Sequence, residues 1–182
     1  IDGLEHFARS YPEITKAHST SDVCHTIIKP ITVPKGWVDI AVLINPEKGW
    51  YSHEYKNEVT GLVQQRAPLG TSSYCNQLKS DPSTPHMVAE PTVFFSHAWG
   101  FCFLNVLAAM RSFVDAQPPG SATAFFWFDT FSIDEHATQE LPQEWWGTTF
   151  RDAVEKIGHT AMMLSPWDAP VPLTRAWCLW EL

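Results

Sequence analysis

The segment Thr174-Arg175-Ala176-Trp177-Cys178-Leu179-Trp180-Glu181-Leu182 sets one carboxylate among apolar side chains. Thr174 is a candidate N-cap and neither Pro nor Gly follows it, so the spacing predicts a helix that begins near Arg175. On that helix Trp177 and Cys178 stand four and three residues before Glu181 and share its face. Burying an unpaired charge is costly, so a carboxylate against an indole and a thiol needs a partner, a raised pKa or a ligand. An ion pair with Arg175 on a half-exposed helix is the alternative reading.

Other chemistry-bearing residues fall at the ends of apolar runs. Ser96 and His97 close the run Thr92-Val93-Phe94-Phe95, and Asp129 closes Phe126-Trp127-Phe128. Ser96 and His97 read equally as ligand contacts or as a turn cap and a structural histidine. Asp129 reads as a ligand for a hydroxyl or as a brace for the following loop, where Asp commonly bonds nearby backbone N–H groups. The loop over 130–145 carries Asp134, Glu135, Glu140 and Glu144 with no basic residue, which reads as a solvated acidic stretch. These acids with His136 lack the tight spacing of a metal site. Trp99 and Phe131 are aromatic candidates for the walls of a pocket. The thiol of Cys178 reads as a small core group rather than a nucleophile.

The elements that must position these residues alternate. Strand patterns at 92–96, 124–128 and 160–164 are separated by helical patterns at 101–116 and 146–157, with Gly158 as a C-cap. Uninterrupted apolar strands joined by helices predict a parallel sheet covered on both faces, with ligands beyond the C-terminal strand ends. The first half signals less. Helices are expected over 2–10 and 21–29, the second with Thr20 as cap and Pro30 as stop, and a strand over 38–44. Tyr55, Val59, Leu62 and Val63 have helical spacing, which predicts a helix over 52–66. The turn-rich stretch 79–85 divides the chain into a mostly helical N-terminal extension, 1–90, and an α/β domain, 91–182.

Of 24 aromatic residues, 17 lie after position 91, so the second half supplies most of the core. A formal net charge of -8 with no Lys/Arg run disfavours nucleic acid or an anionic membrane as partner. Four scattered cysteines without a C-x-x-C pair fit reduced thiols in a cytoplasmic setting. No apolar run approaches the roughly 18–20 residues of a membrane span.

Three segments resemble the TIR (Toll/interleukin receptor) family. Val93-Phe94-Phe95-Ser96-His97-Ala98 is similar to its first strand, and Phe126-Trp127-Phe128-Asp129 to its second strand with the terminal Asp. Met163-Leu164-Ser165 followed by Trp177-Cys178-Leu179-Trp180-Glu181-Leu182 is similar to its S…W-C-x-x-E-L series. The same segments also resemble a TIR-like group from microbial eukaryotes. The chain departs from the family in placing Thr174-Arg175-Ala176 before the Trp-Cys pair and in a long, Pro-rich connection from Ser165. The resemblance implies a flavodoxin-like α/β fold that continues beyond Leu182, so the chain is expected to be cut short. It implies an enzyme that splits NAD+, as substrate rather than cofactor, into nicotinamide and ADP-ribose. Glu181 would be catalytic, with Ser96, His97, Trp99, Asp129, Phe131 and Trp177 binding substrate and no metal. Self-association with other TIR-like domains is implied as well. The same resemblance fits a non-catalytic assembly scaffold, and a nucleoside hydrolase on the same general fold is a third reading.

Overall fold

The computed structural model of the chain describes residues 1–48, 50–138 and 141–180. In the N-terminal half, α1 (Asp2–Ser10) precedes a rod built from α2 (Thr20–Val23), a π turn (Cys24–Ile28) and α3 (Lys29–Thr32). Strands β1 (Trp37–Asn45), β2 (Trp50–Asn57) and β3 (Val63–Gln64) follow as an antiparallel sheet in that order, and α4 (Tyr74–Ser80) leads out. In the second half come β4 (Val93–Ser96), α5 (Phe103–Asp115), β5 (Phe126–Trp127) and the single turn α6 (Asp129–Ser132). The chain then forms α7 (Gln143–Trp145), a π turn (Trp146–Phe150) and α8 (Arg151–Ile157). Strand β6 (Thr160–Met162), a 3-10 turn (Val171–Thr174) and α9 (Ala176–Trp180) close the described part.

Strands β4, β5 and β6 form a parallel sheet in the order β5-β4-β6, a mixed α/β arrangement. Four consecutive apolar-to-small residues put β4 in the middle, where all four are buried. The outer strands, Phe126-Trp127 and Thr160-Met162, are shorter than expected and half-buried. Helix α5 lays Phe103, Val106, Leu107 and Met110 on this sheet at three- and four-residue spacing. Gly158, at φ +68°, ends α8 in the left-handed conformation that a side chain would strain.

The N-terminal half is not mostly helical. The predicted helix over 52–66 is β2, a tight turn and β3. Tyr51, His53 and Tyr55 point inward while Ser52, Glu54 and Lys56 are exposed, a two-residue period that overrides the helical spacing. The Asn57 side chain accepts from the Val59 and Thr60 amides, Gly61 at φ +71° turns the chain, and Val59 is left 87% exposed. Two local expectations are also corrected. The cap of α2 is Ser19 rather than Thr20, in a capping box with Asp22. The rod continues through Pro30, because the π turn bonds the Lys29 amide five residues back to Cys24 and widens the helix where the ring would clash.

One hydrophobic core joins both halves. Phe7, Val23, Ile27 and Ile28 from before position 90 pack with Phe95, Phe103, Met110 and Phe128 from after it. Three backbone bonds strap the start of the rod to the loop after β4: Thr20 N–H to Phe101 O at 2.9 Å, Ser21 N–H to Trp99 O at 3.0 Å, and Phe103 N–H to His18 O at 3.0 Å. Arg111 of α5 holds α1 through Glu5 and Asp2 at 2.7–2.8 Å.

Candidate functional site

Strand β4 ends at Ser96, and the Met163 amide donates to the Ser96 carbonyl at 3.0 Å, so the sheet aims both chain ends at one place. A hollow of about 120 Å³ opens there, lined by Phe94, Phe95, Ser96, His97, Trp99, Asp129, Arg175 and Cys178. Asp129 braces its rim. One carboxylate oxygen accepts from the Trp99 indole N–H at 2.6 Å and the other from the Thr130 amide at 2.8 Å. Cys178 is buried, and its thiol donates to the His97 carbonyl at 3.8 Å, which seats α9 against the strand tip. His97 is 6% exposed, with its ring edge-to-face on Phe128 at 4.9 Å. Its Nε2 has no hydrogen-bond partner among the described residues. Burial lowers the His97 pKa, Asp129 opposes that shift and Arg175 adds to it, so the ring is neutral.

The structure therefore brings together Ser96, His97, Trp99 and Asp129, and adds Arg175 to them. Phe131 is corrected from pocket wall to core residue. The single turn of α6 points its ring inward, where it is 2% exposed and packs on Phe7 at 4.9 Å and Phe128 at 5.4 Å. It borders a different cavity, about 500 Å³, between α1, α4 and the edge strand β5. No buried side-chain atom lacking a partner lines that cavity among the described residues. Glu181 and the Trp177 side chain lie outside the described residues, as does Glu140. Thr174 does not cap α9; its hydroxyl donates to Val171 O at 2.7 Å within the 3-10 turn.

The loop after β5 is not wholly solvated. Glu135 and His136 are buried against the N-terminal half. The Glu135 carboxyl is raised well above the usual range by burial and by Asp129, with Lys29 opposing. The buried Lys29 ammonium donates to the Glu135 carbonyl at 3.0 Å. The Thr32 hydroxyl is within reach of the Ile28 and Lys29 carbonyls, so it receives the His136 Nε2–H at 2.9 Å. His136 Nδ1 is then the acceptor for the Tyr55 hydroxyl at 3.0 Å. Burial, then Lys29, takes the His136 pKa down to about 4.

A second polar constellation had no signature in the sequence. Asp39, on the inner face of β1, lies 2.7 Å from His53 Nδ1, and His53 Nε2 lies 2.8 Å from His25 Nδ1. The Asp39 side chain is fully buried and that of His53 is 8% exposed. His25 is half-buried, stacked on Tyr51 at 4.7 Å and edge-on to Trp99 at 6.3 Å between ring centres. The Tyr51 hydroxyl donates to Asp22 at 2.6 Å. No group of three or more His, Cys, Asp or Glu among the described residues has the arrangement of a metal centre.

No family model, curated protein or solved structure matches this chain. Among the described residues no helix is long and apolar enough to cross a membrane.

Proposed function

We propose that this chain is a TIR-like, flavodoxin-like domain that cleaves NAD+ to nicotinamide and ADP-ribose, with Glu181 as the catalytic carboxylate. The observation that carries the reading is the strand-tip hollow walled by Ser96, His97, Trp99 and Asp129. The order β5-β4-β6 supports it, because a first strand flanked by the second and third begins the flavodoxin-like order, in which ligands sit at that switch point. The hollow is smaller than the roughly 300–1,000 Å³ of drug-sized sites. It has room for one ring with its carboxamide, and the remainder of a dinucleotide would lie along the rim beside Arg175. A buried, unpartnered nitrogen on His97 suits a carboxamide N–H, and the Trp99 indole suits a pyridinium ring.

Cleavage of the N-glycosidic bond sends its electron pair to the ring nitrogen, so nicotinamide leaves neutral and positive charge builds on the ribose. A carboxylate beside the ribose stabilises that charge, the role that the family resemblance gives to Glu181. Replacing Glu181 with Ala is expected to lower nicotinamide release, followed by chromatography, about 10²–10³-fold. Equal and near-zero rates for both proteins would end the enzymatic reading.

A second reading, an assembly scaffold that binds other TIR-like domains, is favoured by one feature. The connection after β6 exposes Leu164 (49%), Trp167 (86%) and Leu173 (43%), and Trp is enriched at binding hot spots. Concentration-dependent mass by light scattering, lost in Trp167→Ala, tests it.

A further inference from the structure

We infer that Asp39, His53 and His25 form a proton relay that leaves His25 Nε2 unprotonated, and that this ring, outside the lining of the hollow and 6.3 Å from the Trp99 ring between centres, serves the strand-tip site as a general base. The hydrogen bonds fix the tautomers from one end. The Asp39 carboxylate accepts only, so His53 donates from Nδ1–H. A neutral His53 has its lone pair on Nε2, and in the relay we propose His25 donates to it from Nδ1–H. His25 Nε2 is left without a proton and has no partner among the described residues. This is the reverse of the tautomer a free histidine side chain favours, so the carboxylate two rings away holds it in place.

The arrangement takes up a proton without rearranging. When Nε2 of His25 is protonated, its Nδ1–H still donates to His53 and His53 still donates to Asp39. The His25–His53 bond then becomes charge-assisted, as the His53–Asp39 bond already is. The other Asp39 oxygen, 3.7 Å from His136 Nδ1 and without a hydrogen bond among the described residues, adds negative charge at the far end. Tyr51 holds one face of the His25 ring, and its own hydroxyl is tied to Asp22. The charged groups that act on His25 are Lys29, Asp39 and Asp22, besides the His53 ring. Burial takes the His25 pKa down to about 4, so its ring is unprotonated at neutral pH.

The role rests on the NAD+ reading for its substrate. The proton donor is the water that replaces nicotinamide. Water loses H⁺ to His25 Nε2, its oxygen pair forms the new bond to the ribose carbon, and His25 returns the proton to solvent. Asp39 and His53 act as positioning residues through His25.

Nitrogen-15 NMR of the histidines in the whole chain at neutral pH tests the relay without substrate. The expected result is Nδ1–H on His25 in the wild type, moving to Nε2–H in Asp39→Asn and in His53→Gln. Nε2–H on His25 in the wild type overturns the proposal, as does a tautomer that ignores both substitutions. With NAD+, His25→Gln is expected to lower kcat about 10²-fold with KM changed less than about threefold. Asp39→Asn should move the acid limb of the kcat profile to lower pH, a shift that loosened packing alone does not produce. An unchanged kcat in His25→Gln, in a protein inactivated by Glu181→Ala, overturns the catalytic role. A wild-type chain that leaves NAD+ intact removes the nucleotide reading and the assigned proton donor, while the tautomers still decide the relay.

Discussion

Trp99 borders two imidazoles with opposite surroundings. On the strand-tip side, His97 is buried, its Nε2 has no partner among the described residues, and its ring rests against Phe128. On the rod side, His25 is half-buried, and its Nδ1 opens a chain of bonds that ends on a fully buried carboxylate. Burial therefore makes two different things of one side chain. Without a partner, a buried nitrogen is a cost that a ligand can remove. With a partner at each step, the same desolvation strengthens the chain and fixes where its protons reside.

The sharpest way to break this contrast is to remove the middle of the chain. In His53→Phe the ring volume is kept, but Asp39 loses its hydrogen bond and stays buried. The expected loss is about 3–5 kcal/mol in urea unfolding. A loss below about 1 kcal/mol would mean that the bond between His53 and Asp39 contributes little to stability.

Acid sharpens it next. His25 and His136 are each lowered from 6.5 to about 4. The unfolded chain takes up these protons from pH 6.5 downward, the folded chain only near 4, so stability is full above 6.5 and falls through that window. His136, whose side chain is fully buried, sets the expected slope at about 1.4 kcal/mol per pH unit. Half-exposed His25 adds less. Urea midpoints at pH 7, 6 and 5 measure the slope, which should flatten in His136→Gln.

The smallest effect is expected on the other side of Trp99. His97→Phe removes a nitrogen without a partner among the described residues, so stability should change by less than about 1 kcal/mol in either direction. Nicotinamide release, in contrast, should fall. A loss as large as that of His53→Phe would show that His97 has a partner of comparable weight.

The sequence made part of this legible. Val93-Phe94-Phe95-Ser96 announces a central strand because nothing in it tolerates water, and the stripe Phe103, Leu107, Met110 announces its covering helix. That Ser96, His97 and Asp129 meet at one edge of the sheet was readable because parallel strands deliver whatever follows them there. Phe131 misled because a one-turn helix after β5 inverts the direction of its side chain. The antiparallel hairpin was lost because Tyr55, Val59, Leu62 and Val63 match helical spacing by coincidence, and Gly61 marks the turn between them. The relay was out of reach for a stronger reason. His53 is 14 residues from Asp39 and 28 from His25, and only strand pairing plus docking of the rod puts them in one line.

The three main-chain bonds between residues 18–21 and the loop that carries Trp99 make that loop and the rod a single mechanical part. A tether pulls both ways. A guest molecule that pries the indole outward tugs on the helix bearing His25, and anything that grips this helix tightens or slackens the doorway. Entry to the hollow and the aim of the base are geared together.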